Sequence, residues 1–330
     1  MTAKTIFVTG GAGYVGSHCC KTFAQAGWNV VVYDNLYRGW RDFVKWGPLI
    51  EGDIRDAERL GYAIASIRPD AVAHFAGVAY VGESMAAPGQ YYDINTRGSL
   101  NLVQAMVANG VDKIVFSSTC ATYGVPETMP ITEETPQLPI SPYGWSKLFV
   151  ERVLKDFDRA HGIRSVALRY FNAAGADPDG EIGERHEPET HLIPLAIRAA
   201  MPGGSELTIF GDDFGTPDGT CVRDFIHVCD LADAHVQALQ YLFDGRASEA
   251  FNLGTGEGVS VRAIVAAVEA ATSKKIRQRK GPRREGDPPI VVAGAQKAYA
   301  ELGWRPHRSG ISDIIADAIN WEKSRTVCAV

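Results

Sequence analysis

Apolar runs and polar breaks alternate regularly through the first half of the chain. Short runs rich in β-branched residues predict strands at Ile6–Thr9, Asn29–Tyr33, Ala71–Phe75, Lys113–Ser117 and Arg164–Arg169, with a weaker one at Leu49–Gly52. Between them, apolar residues at helical spacing predict helices over Ser17–Ala26, Ala57–Ile67, Tyr91–Asn109 and Tyr143–His161. Strands alternating with helices in this way predict an α/β fold, a doubly wound parallel sheet covered on both faces. The beat breaks after Phe171. Residues 176–189 are crowded with Asp, Glu, Gly and Pro and read as a loop. Mixed short elements follow: strands at Leu207–Phe210 and Phe251–Leu253, helices at Asp230–Phe243, Ser260–Ala271 and Ile311–Ser324. The pattern divides the chain into a Rossmann-type domain over residues 1–175 and a smaller substrate lobe over 176–330, with segments near 223–253 returning to the sheet.

Composition narrows the function. With 330 residues, 45% hydrophobic and 22% charged, the chain has the make-up of a soluble globular protein. A net charge of −6 argues against nucleic acid as a partner. No run is long enough to span a bilayer and no signal peptide is evident, so a membrane role is not expected. Six cysteines without CxxC spacing point to reduced thiols and a cytoplasmic location.

Two motifs carry the chemistry. Gly10, Gly13 and Gly16 follow the first strand and precede a helix. That spacing serves a tight turn, a close backbone approach to a pyrophosphate and close helix–strand packing. The helix beginning near Tyr14 turns its free amides and positive dipole end toward the phosphates. Asp34, closing the second strand, suits ribose hydroxyls and repels a 2′-phosphate, which favours NAD over NADP, with Arg38 nearby as the counter-signal. Asp53 has two readings, an acceptor for the adenine amino group or a helix N-cap. Asn95 also has two, a cofactor contact or a backbone tie. Phe75, Ala76 and Gly77 permit close approach at a strand end.

The second motif, Tyr143-Gly144-Trp145-Ser146-Lys147, places a phenol and an ammonium one helical turn apart. The ammonium and an oxidised nicotinamide are expected to lower the phenol's pKa, so that Tyr143 serves as base and Lys147 holds the nicotinamide ribose. Thr119, at the end of the strand carrying Ser117, is expected to share the proton with the substrate oxygen. No metal is expected: His186 and His191 stand five residues apart with Pro188 between them, which no zinc-binding helix allows.

The chain resembles the extended short-chain dehydrogenases, and within them the UDP-glucose 4-epimerase family. The resemblance runs through Thr9–Gly16 (TGGAGYVG), Tyr33–Leu36, Gly52–Arg55, His74–Gly77, Val81–Ser84, Ser117–Gly124 (SSTCATYG) and Tyr143–Lys147. It continues through Leu168–Ala174 (LRYFNAA), Asp218–Val228, Asn252–Gly256 (NLGTG) and Arg283–Asp287 (RREGD). It implies an isomerase using tightly held NAD, with Tyr143, Lys147 and Thr119 catalytic. Tyr14, Val15, Asn35, Leu36, Ile54, Ser117 and Phe171 would join the cofactor contacts. Asn172, His191, Leu192, Arg223, Arg284 and Asp287 would bind a UDP-sugar, the arginines gripping the diphosphate. The implied reaction inverts carbon 4 of UDP-glucose or UDP-galactose: a 4-keto sugar forms, pivots about its diphosphate and is reduced on the other face. A UDP-pentose 4-epimerase is the alternative. A 4,6-dehydratase fits poorly, because Cys120-Ala121 stand where its acid and base would be. A non-catalytic NAD-binding protein has no use for the intact triad. The resemblance also implies a homodimer built on the two long helices. Two positions depart from the family pattern: Ala79 replaces a lysine and His191 an asparagine. Val291 falls where tolerance of N-acetylated sugars is set.

Overall fold

The computed structural model describes residues 3–284 and 286–327. Glu285 of the RREGD motif and Cys328 lie outside the described residues. Six strands rise in chain order: β1 (Thr5–Thr9), β2 (Asn29–Asp34), β3 (Leu49–Glu51), β4 (Ala71–His74), β5 (Lys113–Thr119) and β6 (Arg164–Tyr170). A short strand β7 (Asn172–Ala174) pairs with β8 (Phe225–His227), and β9 (Glu249–Leu253) returns to the sheet edge. The main sheet has seven strands, all parallel, in the order β9-β6-β5-β4-β1-β2-β3. Strand order reverses between β1 and β4, and ligands of such sheets bind at that switch point, outside the strands' C-terminal ends.

The two-residue period of each strand feeds two separate cores. Ile6 and Val8 of β1, with Ala71 and Ala73 of β4, face helices α1 (Tyr14–Gln25) and α6 (Val228–Phe243). Phe7 and Val72 face the opposite layer, built from α2 (Ala57–Ile67), α3 (Gly98–Ala108) and α4 (Pro142–His161). Burial on both faces is why these strands read as continuous apolar runs. A third core lies among α5 (Leu192–Ala200), α7 (Val261–Thr272) and α8 (Ile311–Val327). No helix among the described residues is long and apolar enough to cross a membrane.

The expected single helix over residues 91–109 is broken. A short turn at Pro88–Tyr91 runs into a π-helical segment, Tyr92–Arg97, before α3 begins. The widened turn holds Asn95, whose amide binds both backbone groups of Val78 on a neighbouring segment. Such π-insertions mark places where a side chain is re-aimed for a task. The helix α5 was not anticipated, because its nine residues stand just behind the Pro-rich loop.

Candidate active site

The glycine loop is shaped by what a side chain would strike. Gly10 takes φ of +75°, and a Cβ there would lie 2.4 Å from the Ala76 amide nitrogen. A Cβ on Gly16 would lie 2.1 Å from the Gly10 carbonyl oxygen. The loop, the end of β4 and the start of α1 are therefore in direct backbone contact. Gly13 ends the loop as the helix N-cap without any side-chain cap, which leaves the first amides of α1, from Tyr14, Val15 and Gly16, free for an anion. The cradle fits a dinucleotide pyrophosphate.

Asp34 is buried at the end of β2 and accepts from the amides of Ala12 (3.0 Å) and Leu36 (2.8 Å). Burial raises its carboxyl above the usual range, and the two amides oppose that. Each oxygen keeps a lone pair for a ribose hydroxyl. Arg38, the counter-signal for NADP, is turned away: it donates to the Glu187 carbonyl and to Glu83, both at 2.8 Å. Asn35 donates to Asp53 (2.8 Å), and Arg55 grips the same carboxylate through two guanidinium nitrogens, holding it down at about 2. The N-cap of α2 is Asp56, not Asp53. Ile54 is buried, and a Cβ on Gly98 would lie 2.6 Å from its side chain. Asn95 spends both amide hydrogens within the protein, on the Val78 carbonyl and the Ser146 hydroxyl (2.9 Å each), so its backbone-tie reading is the one its hydrogen bonds match.

The chemical groups meet at the ends of β4 and β5. A Cβ on Gly77 would lie 3.7 Å from Lys147 Nζ, which puts the ammonium beside the strand end that closes the glycine loop. Phe75 and Ala76 precede it, both half-buried. Ser141 caps α4 by accepting from the Gly144 amide, and Pro142 fixes the first turn. This sets Tyr143 and Lys147 on the inner face. Lys147 is buried and donates to the Ser117 carbonyl at 2.8 Å. Burial lowers it to about 8, while Glu151, one turn on, pulls it back up. The Thr119 hydroxyl is near enough to the Tyr143 phenol to favour its ionised form, and it accepts from the Ala121 amide at 3.1 Å.

The expected lowering of the phenol's pKa calls on the nicotinamide's charge as well as the lysine's, and the protein's own side chains do not supply it. Burial pushes Tyr143 up to about 12, opposed by the nearby Thr119 hydroxyl, while the Lys147 ammonium is committed to a carbonyl. The protein alone holds this phenol protonated.

The substrate-side residues line up across β7, β8 and the loops beyond. Phe171 is buried with Tyr123, Ile131, Val291 and Ala293. Asn172 donates its side-chain amide to the Asp224 carbonyl at 2.9 Å. Arg223 donates to Asp287 at 2.8 Å, which joins two of the expected substrate contacts. Arg284 is exposed and stacks over Phe210 at 4.3 Å. His191 precedes α5 as its N-cap residue and Leu192 opens that helix. His191 and His186 are not on a helix, so the spacing argument does not govern them: a loop brings both against Glu184 and Glu189.

Two supporting groups escaped the sequence reading. Asp224, fully buried, accepts from the amides of Thr255, Gly256 and Ala293, and so anchors the NLGTG loop behind Arg223. Glu151 and Arg169 form a buried pair at 2.6 Å. Glu151 also accepts from Ser118, the neighbour of Thr119, and Arg169 donates to Tyr123 at 2.8 Å. The only sequence signal for this network is a carboxylate four residues after Lys147, on the same helix face.

A nucleotide cradle beside a phenol, an ammonium and a hydroxyl has counterparts among known proteins. Residues 6–254 match the model of the NAD dependent epimerase/dehydratase family. The UDP-glucose 4-epimerase of Rhizobium meliloti is 50% identical over 325 residues, 98% of this chain and 99% of that one. The Brucella ovis UDP-glucose 4-epimerase, solved with NAD, superposes with a TM-score of 0.93 at 47% identity, covering 96% of this chain and 98% of the other. The Bifidobacterium longum enzyme, solved with NAD+ and UDP, does so at 0.93 and 39% identity, covering 98% and 99%. Identity at this level along nearly the whole length, together with the glycine cradle and the tyrosine–lysine helix, places the chain in the NAD dependent epimerase/dehydratase family.

Proposed function

We propose that the protein is a UDP-glucose 4-epimerase, interconverting UDP-glucose and UDP-galactose with NAD retained in the site. The observation that carries this reading is the convergence of Thr119, Tyr143 and Lys147 beside Gly77 and the glycine loop. The glycine cradle and Asp34 would hold NAD, which would supply a reversible hydride acceptor for carbon 4 and a positive charge favouring the phenolate. Tyr143 takes the proton of the 4-hydroxyl and later gives it back. Thr119, beside that phenol, shares the proton path. Lys147 stays cationic between the Ser117 carbonyl and the cofactor ribose. Arg223 and Arg284 hold the diphosphate, and Asp287, oriented by Arg223, takes the nucleotide ribose. The tether lets the 4-keto sugar turn over and be reduced on its other face. Atoms and electrons balance within one turnover, so no external reductant is consumed.

Incubation of the protein with UDP-galactose, reading UDP-glucose by chromatography, tests the proposal. Conversion to an equilibrium mixture without added NADH is expected. Conversion of UDP-xylose but not of UDP-galactose would replace the hexose assignment by the pentose one.

A homodimer fits the same reading. Tyr92, Trp145 and Phe149 form an exposed aromatic cluster across α4 and the π-helical segment, with ring centroids 5.7 and 6.0 Å apart. A contiguous exposed apolar patch is a common sign of association. Light scattering should return twice the chain mass of 35.7 kDa. The five described cysteines are free thiols, which supports a cytoplasmic location.

A further inference from the structure

The loop after Ala176 carries two groups of carboxylates with opposite fortunes. Asp177, Asp179 and Glu181 surround Lys21 Nζ at 2.8, 2.8 and 2.7 Å, so the protein supplies their cation. Glu184 and Glu189 face two histidines instead. Their side chains are only 7% and 2% exposed. His191 Nδ1 lies 2.8 Å from Glu184 and 2.9 Å from Glu189. His186 Nδ1 lies 3.3 and 3.6 Å from the same two carboxylates. Both imidazoles thus point the same ring nitrogen at one shared point, and the four ligand atoms lie within 4.8 Å of one another.

Hydrogen bonding leaves this cluster incomplete. His186 Nδ1 and Glu189 Oε2 are both buried and neither has a hydrogen-bond partner. The nearest arginine, Arg198, stands 3.8 Å from Glu189 and is engaged by Glu322 at 2.9 Å. Unpaired polar atoms this deep are costly. Of the two, His186 Nδ1 is the atom aimed at the shared point; Glu189 turns Oε1 there, where it accepts from the Thr190 and His191 amides, and a cation at that point would satisfy the histidine nitrogen.

We propose that Glu184, His186, Glu189 and His191 form a structural zinc site. A tetrahedral zinc with bonds of about 2.0–2.1 Å needs ligand atoms about 3.3 Å apart. The four histidine–carboxylate separations, from 2.8 to 3.6 Å, bracket that edge, and all the ligand atoms lie within 4.8 Å of one another. Two neutral imidazoles and two carboxylates carry the charge that balances a divalent ion, and imidazole donors favour zinc over magnesium or calcium. With four protein ligands the site is closed, so its task is to hold shape. It would lock the segment that ends at His191 onto α5. It would also brace Tyr80 and Tyr14, whose rings meet His186 edge-on at 5.8 and 6.1 Å. Tyr14 in turn opens the helix that follows the glycine loop and donates to the Gly175 carbonyl at 2.7 Å. The ion would thereby tie the cofactor cradle to the substrate lobe.

The test uses the NAD-loaded enzyme, dialysed against a chelator and then titrated with Zn2+ against a colorimetric competitor. In parallel, Co2+ is added and the visible spectrum recorded. One zinc per chain is expected, with Kd below about 1 μM, together with the intense visible bands of four-coordinate cobalt and a rise in melting temperature on metal addition. His186→Asn and Glu189→Gln should each weaken zinc binding by about 100-fold. No stoichiometric zinc in the unmodified protein would overturn the proposal. So would a six-coordinate cobalt spectrum, or equal uptake by folded variants, which would mean binding elsewhere on the surface. If a variant fails to fold, the zinc stoichiometry and cobalt spectrum of the unmodified enzyme still decide.

Discussion

Replacing Glu151 by glutamine tests how the catalytic helix is bolted to the sheet. Glu151 and Arg169 are 9% and 8% exposed at their side chains, and the guanidinium meets the carboxylate through both Nε and Nη2. Neutralising the carboxylate leaves a buried cation with only the Tyr123 hydroxyl as a full partner. Breaking one side of a buried pair costs about 3–5 kcal/mol, and the remaining amide oxygen puts this variant near 3 kcal/mol. With a urea m value of about 3 kcal/mol/M, the unfolding midpoint should fall by about 1 M. Replacing Glu151 and Arg169 together by methionine should restore most of that loss, since no charge is then stranded. The same variant carries a functional signature. Glu151 pulls the Lys147 pKa up against burial, which holds it at about 8. Lys147 is cationic below that pH and neutral above it. Removing the negative charge lowers the pKa further, so the alkaline limb of the kcat/KM profile should move to lower pH. A midpoint shift under about 0.3 M with an unmoved alkaline limb would refute both the buried-pair energetics and the proximity argument.

Three further outcomes follow from the geometry. Gly16→Ala puts a Cβ 2.1 Å from the Gly10 carbonyl, and the forced loop shift should weaken NAD binding by about 10- to 100-fold in equilibrium dialysis; an unchanged Kd would contradict the cradle. Arg223→Met removes a charged donor from the proposed diphosphate grip and frees Asp287, so KM for UDP-glucose should rise by about 10- to 100-fold with NAD affinity intact. Trp145→Glu together with Phe149→Glu should halve the mass seen by light scattering, and an unchanged dimer would place the interface elsewhere.

How much was legible in the sequence depended on whether the signal was local. The strands of the main sheet could be read because burial on both faces makes each a continuous apolar run. The glycine loop could be read because its three glycines fall within seven residues directly after a strand, although the backbone that Gly10 meets, at Ala76, is distant in the chain. The two-residue strand Val222–Arg223 could not, because its pairing with Ile290–Val291 depends on residues nearly seventy positions away. The helix across residues 91–109 was misjudged because helical periodicity does not reveal the widened turn around Asn95. Tyr143 shows the limit for chemistry. Spacing places a lysine one turn from the phenol, but only the fold shows that ammonium turned to the Ser117 carbonyl while burial raises the phenol. His186 and His191 show it again, since a helix rule was applied to residues that a loop brings together.

The central claim is that the Tyr143 hydroxyl moves the proton of the sugar's 4-hydroxyl, and Tyr143→Phe removes that atom alone. Turnover of UDP-galactose by the NAD-loaded variant should fall by about 100- to 10,000-fold, with NAD content and UDP binding unchanged. Turnover equal to that of the unmodified enzyme would contradict the account.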